Sequence, residues 1–404
     1  MSIREMTTIK TVDTPRVPLP SQRVRAALRD AAPALLGYAA VRAVGVVVLI
    51  YWGHARGQSW LRKLSTIWDA NWYANVAVHG YGHSLPAMSN GHGPTVHSNM
   101  AFFPLYPAAI RVVRAITPFD THSSALAIAW VASLAAAWGI FAVGSWCYGR
   151  QVGIAATLLW GVLPQAVIES LAYTEPLFTA LAAWSLYAVL TRRWLWAGVL
   201  CALAGLTRPS GAAVLAAVGF AVGAELLRLR RLGQPAKAWR PCLGLLIGAA
   251  GLFGYVGWVD LRLGRWDGYL AVQHQWNSNF DFGHSTARHI AALLLHSTPS
   301  PLGGIVVTLI LCAAAVLFAL SSANRQPLPL LVYSAMLMVM AVGDTGFFNS
   351  RSRFLLPAFP LLLPLATGLT RVRSRASRVV LLSSATIASA LYGGFLVYVY
   401  NHAL

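Results

Sequence analysis

The sequence predicts an all-α polytopic integral membrane protein, a bundle of about eleven transmembrane helices with its N-terminus in the cytoplasm. Three observations predict it. Of 404 residues, 57% are hydrophobic and only 11% are charged, whereas a soluble domain carries roughly 25% charged residues. Mean hydropathy is +0.59, so lipid must be much of the solvent of this chain. Apolar runs of spanning length recur along it, and its net charge of +19 is unevenly distributed.

Residues 1–31 are polar and basic, with Pro15, Pro18 and Pro20, and read as a disordered cytoplasmic tail. Residues 32–404 read as one membrane domain. Its apolar runs lie near 32–53, 124–147, 152–170, 174–191, 194–208, 209–227, 241–262, 301–321, 327–344, 354–370 and 378–400. The first is long enough to span and follows a long polar tail, the pattern of a signal anchor. Several runs are short, or separated only by Arg192, Arg193 or Pro209.

With the N-terminus inside, the inner segments hold 19 of the 31 basic residues and 4 of the 12 acids. That asymmetry is the positive-inside pattern, so the basic excess is a topology signal and excludes nucleic acid as its explanation. Cys147, Cys201, Cys242 and Cys312 lie in or beside spans without a CxxC pair, which excludes a disulfide framework. Neither GxGxxG after a strand nor GxxxxGK[ST] occurs, which argues against a nucleotide-sugar donor or ATP-driven transport.

Two extracytoplasmic segments are large, 54–123 and 263–300. Asp69, Asp120, Glu169, Glu175, Asp260, Asp267, Asp281 and Asp344 fall on this side, as do Arg208, Arg351 and Arg353 at span ends. Trp68, Trp72, Tyr73 and Val76 recur at helical spacing and predict an interfacial helix, its aromatic face in the headgroups. Leu105, Ile110 and Val113 predict a second one. An aromatic belt explains the rings, but a lone acid at Asp69 is costly there without a task or partner. His79, His83, His92 and His97, with His274, His284 and His289, match no metal motif. A divalent ion held by Asp69 and another carboxylate is possible chemically but not indicated, so no cofactor is assigned.

Five segments carry a resemblance. They are Trp68-Asp69-Ala70-Asn71-Trp72-Tyr73 with His79-Gly80-Tyr81; Ala101-Phe102-Phe103-Pro104-Leu105-Tyr106-Pro107; Ala172 to Phe178; Thr207-Arg208-Pro209-Ser210-Gly211; and Ser352 to Pro360. In this order they resemble the second mannosyltransferase of GPI-anchor assembly and its bacterial relatives, a family of the GT-C superfamily. The resemblance covers roughly 60–360. It implies a GT-C bundle with a large first outer loop carrying interfacial helices, and a polyprenyl-phosphate-mannose donor. It also implies an acid of that loop at the centre of catalysis, here Asp69. The Ala/Arg/Leu-rich composition resembles that of a high-GC bacterium, which sets the plasma membrane as the expected location and a lipid-linked or cell-envelope glycan as the acceptor.

Such a transfer needs a base for the acceptor proton, and Asp69 is the candidate. It needs positive charge for the leaving phosphate, for which Arg208, Arg351 and Arg353 are candidates, with His79 beside them. Trp68, Asn71, Tyr73, Phe103, Glu175 and Trp276 are candidates for substrate binding. Snorkelling to headgroups also explains the arginines, and a helix dipole explains Glu175. The rival readings are a secondary transporter or lipid flippase, transfer of another sugar from the same carrier, and a subunit without activity.

Overall fold

The computed structural model describes residues 20–82, 97–295 and 302–400, with side chains from residue 25 onward. His83 and His92, and the expected tail up to residue 19, lie outside the described residues. The chain is a polytopic helical membrane protein. Its helices are α1 (Pro20–Ala55), α2 (Trp60–Thr66), α3 (Asp69–His79), α4 (Leu105–Ile116), α5 (Thr121–Tyr148) and α6 (Arg150–Gly161). They continue as α7 (Glu175–Leu190), α8 (Trp194–Gly205), α9 (Gly211–Arg231), α10 (Trp239–Leu263), α11 (Gly268–Gln275) and α12 (His284–Leu295). The last are α13 (Leu302–Ala323), α14 (Leu328–Gly343), α15 (Arg351–Phe354), α16 (Leu363–Arg371) and α17 (Arg375–Tyr398).

Six of these, α1, α5, α9, α10, α13 and α17, are long and apolar enough to cross a membrane. Large apolar side chains along them, such as Val131, Leu246 and Leu309, are exposed, as lipid contact requires. Each expected span coincides with helix, but not all reach spanning length. Helix α7 has 16 residues and α8 has 12, or about 24 and 18 Å against a hydrocarbon core of about 30 Å. The 152–170 run stops at Gly161 before Pro164 and resumes as a 3₁₀ turn, Ala166–Ser170. The 354–370 run is a pair of helical pieces, Phe348–Phe354 and Phe359–Arg371, bent by 75°, with Pro357 and Pro360 at the break. Short and broken helices end inside the protein, and their polar ends meet there.

The first span begins earlier than its apolarity suggests. Residues 20–31 are the opening of α1 and not part of a disordered tail. Pro20 suits a helix start, and Arg25, Ala26, Ala27 and Leu28 are strong helix formers. Asp30 then pairs with Arg150 at 2.5 Å. Deeper along α1, Tyr38 donates to Glu169 at 2.7 Å, and Arg42 lies 3.8 Å from the same carboxylate. Glu169 thus faces α1 and has no share in the Asp69 site.

Helices α8 and α10 cross at glycines. A Cβ on Gly198 or Gly251 would overlap the backbone of Gly244 or Ala202, the close approach that small residues allow between membrane helices. Gly251→Ala is expected to destabilise the bundle by about 1–3 kcal/mol through overpacking. The check is the thermal unfolding midpoint of the detergent-solubilised protein.

Candidate active site

The first outer loop folds back on the bundle. Helix α3 starts at Asp69 because Trp68 breaks the chain direction, with φ 42°. Its C-terminal carbonyls on Val76 and Ala77 accept from Arg111 of α4 at 3.2 and 2.6 Å. Tyr73 and Val76 are buried and belong to the core. The expectation that this aromatic face lies in the headgroups is therefore corrected, since the face packs against the protein. Tyr73 packs edge-on to Phe102 and Tyr106, and Trp72 stacks on Phe102 at 5.4 Å. Two backbone hydrogen bonds fix the loop against the short helices. Ala172 N–H donates to Leu64 O at 3.0 Å, and Leu105 N–H donates to Leu206 O at 2.9 Å.

These bonds bring Asp69 beside the first residue of α7 and the turn after α8. Arg353 joins them: its Nη1 donates to Asp69 Oδ2 at 2.7 Å, and its Nε lies 3.2 Å from Glu175 Oε1. Glu175 also pairs with Arg208, whose Nη1 donates to Thr174 Oγ1 at 3.3 Å. The Tyr73 hydroxyl is 3.1 Å from the same Thr174 oxygen, and burial pushes that hydroxyl far above its ordinary pKa, so it stays neutral. The Phe354 ring lies beside both guanidiniums, 5.2 Å from Arg353 and 5.7 Å from Arg208.

Two carboxylates and two guanidiniums thus form a neutral quartet, and burial separates their roles. The Glu175 side chain is 1% exposed and Asp69 is 26% exposed. Glu175 holds the two arginines in place, while Asp69 faces a cavity of about 310 Å³. Its Oδ2 accepts from Arg353, and its Oδ1 has no hydrogen bond or ion pair among the described residues. The cavity is also lined by Trp68, Trp72, Tyr73, Phe103, Arg208 and Trp276. Trp276 is braced by His97, stacked at 4.4 Å, and by its Nε1 donating to Ser98 O at 3.0 Å. The second outer loop therefore completes the wall begun by the first.

The structure brings together Asp69, Arg208, Arg353, Glu175, Trp68, Tyr73, Phe103 and Trp276. It does not bring Arg351, His79 or Asn71 to the cavity. Arg351 is buried beside it, donating to Asp344 O and, at 3.0 Å, to Ser285 Oγ. There it clamps α12 to the end of α14. His79 and Asn71 are exposed, and His79 sits at the far end of α3, about 15 Å from Asp69 along the helix. Phe354 and Thr174, overlooked as site residues, each flank a candidate in sequence, and that adjacency was the available signal. Among the described residues, no group of three His, Cys, Asp or Glu could hold a metal ion.

Most other outer acids have local structural tasks. Asp120 and Asp281 cap helix starts, and Asp260 accepts from Tyr269 N–H. Asp344 differs: its Oδ1 accepts from Ser278 and Gly346, and it lines the Asp69 cavity as a second carboxylate.

No family model and no curated relative matches the sequence. Among solved structures, the chain is similar to the oligosaccharyltransferase of Archaeoglobus fulgidus in complex with zinc and sulfate. The identity is 13%, the TM-score 0.45, and the match covers 84% of this chain and 48% of that one. The same protein tethered to an acceptor peptide with the NVT sequon matches at 12% and 0.45, over 90% of this chain and 56% of that one. Its apo form matches at 13% and 0.43, over 87% and 56%. The chain spans about half the length of these structures. This is a distant likeness of helical arrangement, and the chemistry of the cleft stands on its own residues.

Proposed function

We propose that the protein is a membrane glycosyltransferase of the GT-C type. It moves mannose from polyprenyl-phosphate-mannose to a hydroxyl of a lipid-linked or cell-envelope acceptor, on the extracytoplasmic side. The observation that carries this reading is the partly buried carboxylate of Asp69 facing an aromatic cavity beside Arg353 and Arg208. Its support is that all five segments of the family resemblance contribute to this one site.

In the reaction, Asp69 takes the acceptor's proton as that oxygen attacks the anomeric carbon. The bond from that carbon to the phosphate oxygen breaks, and the configuration inverts. Polyprenyl phosphate leaves with the electron pair, its charge met by Arg353 and Arg208. An apolar groove of about 620 Å³ between α13, α16 and α17, lined by residues such as Leu309, Leu317 and Leu365, suits the polyprenyl tail. It shares Gln165 and Tyr392 with a crevice that reaches Arg353.

Trp276 supplies a stacking face for the acceptor sugar. Trp276→Ala is expected to raise the acceptor KM about 3- to 10-fold, with kcat little changed. An unaltered KM would remove Trp276 from acceptor binding.

A transporter or flippase is the second reading, favoured by the helix pair bent by 75° and by the buried Glu169–Arg42 pair. The separating experiment gives membranes holding the protein radiolabelled polyprenyl-phosphate-mannose, with the glucose and arabinose carriers alongside. Label moving into a lipid or glycan acceptor from the mannose carrier alone supports the proposal. Transfer from another carrier changes the sugar. Movement of intact carrier across the membrane without transfer favours the second reading.

A further inference from the structure

At the other end of the bundle the turn joining α7 to α8 meets the turn joining α9 to α10. Helices α7 and α8 connect the two ends, since Glu175 and Arg208 lie at their active-site ends. Between the turns is a pocket of about 490 Å³. Its lining carries four cations, Arg192, Arg228, Lys237 and Arg240, and a single carboxylate, Glu225. Glu225 pairs with Arg228 at 2.9 Å and reaches Arg192 at 3.9 Å. Lys237 and Arg240 form no ion pair among the described residues, and Arg240 lies over the Trp239 ring at 5.2 Å. Glu225 offsets Arg192 and Arg228, and an anion in the cavity offsets Lys237 and Arg240.

We propose that this pocket binds the head group of an anionic glycerophospholipid, its phosphate held by Lys237 and Arg240. The surface leading away from it favours a lipid over a soluble phosphate ester. Trp239, Leu243 and Leu246 follow one another at helical spacing on one face of α10, and are 54%, 39% and 69% exposed. Acyl chains anchored at the pocket lie along that face. Basic pockets between membrane helices bind lipid head groups by this combination of cations and an apolar wall. A phosphate seated there adds a second tie between the two sides of the cavity to the one that Arg192 makes with Glu225. The assignment does not depend on the proposed transferase activity.

Native mass spectrometry of the full chain in detergent, titrated with phosphatidylglycerol or phosphatidylcholine, tests it. The native chain is expected to retain phosphatidylglycerol in preference. Lys237→Ala/Arg240→Ala is expected to weaken the first-bound phosphatidylglycerol about 30-fold, the loss of two cations near an anionic group. All four altered side chains in the two doubles are exposed, so the control Arg373→Ala/Arg375→Ala removes equal charge from the same end. It is expected to leave that first lipid in place. Equal weakening by both doubles, or by neither, overturns the proposal, because attraction is then general to the basic face. Displacement of the lipid by glycerol 3-phosphate also overturns it, since the ligand is then a soluble phosphate ester.

Discussion

Asp69→Asn is expected to lower sugar transfer about 10²- to 10⁴-fold while leaving the protein folded. The amide is nearly the shape of the carboxylate and still accepts a hydrogen bond from Arg353, which at present donates to Oδ2 at 2.7 Å. What it cannot do is take a proton from an acceptor hydroxyl. Glu175 does not substitute for it, because that carboxylate is 1% exposed and engaged by both arginines. The check is transfer from labelled donor in membranes, together with the thermal midpoint of the purified variant. Undiminished transfer would take Asp69 out of the centre of the reaction.

Arg353→Ala is expected to be worse, because it damages both the fold and the chemistry. It strands Glu175 with one remaining partner, Arg208, and leaves Asp69 with none among the described residues. Removing one member of a buried ion pair costs about 3–5 kcal/mol. A lower thermal midpoint and loss of transfer are the expected readings. Arg353→Lys restores positive charge as a point and not as a planar fork that reaches two carboxylates in different directions. It is expected to recover much of the stability and little of the rate. A lysine variant with full activity would show that charge alone suffices there.

The two variants separate holding from reacting. Glu175 and Arg353 set the position of Asp69, which carries a charged oxygen to the cavity; Asp344 also lines the cavity, with its Oδ1 accepting from Ser278 and Gly346.

Residue types made much of this site legible in advance. Carboxylates and guanidiniums at span ends are costly at membrane depth, so Asp69, Arg208 and Arg353 stood out from a chain with few charges. The pattern could not separate Arg353 from Arg351. Residues two apart on a helical turn point in nearly opposite directions, so only one of them faces the cleft. Arg351 turns to Asp344 O and Ser285 instead. Glu169 and Glu175 raised the same problem: the turn between them sends one toward Tyr38 and Arg42 and the other toward Arg353. For His79, membership in a matched segment misled, since α3 is straight and carries its last residue away from its first.

The sequence by itself determined that this chain is a helical membrane bundle and which residue types are available for chemistry. Those properties follow from solvation, because apolar length and scarce charge are written residue by residue. It did not locate the breaks: 152–170 and 354–370 read as continuous apolar runs, and the structure interrupts them near Pro164, Pro357 and Pro360 while Pro33 sits within α1. Only the tertiary structure decided which way the aromatic face of α3 looks, inward onto Phe102 and Tyr106. Only it decided that helices too short to span end within the protein, and that residues as distant as Asp69 and Arg353 form one ion pair. Those outcomes depend on packing between segments far apart in the chain, and local periodicity cannot say which of two apolar surroundings, lipid or protein, a face will meet.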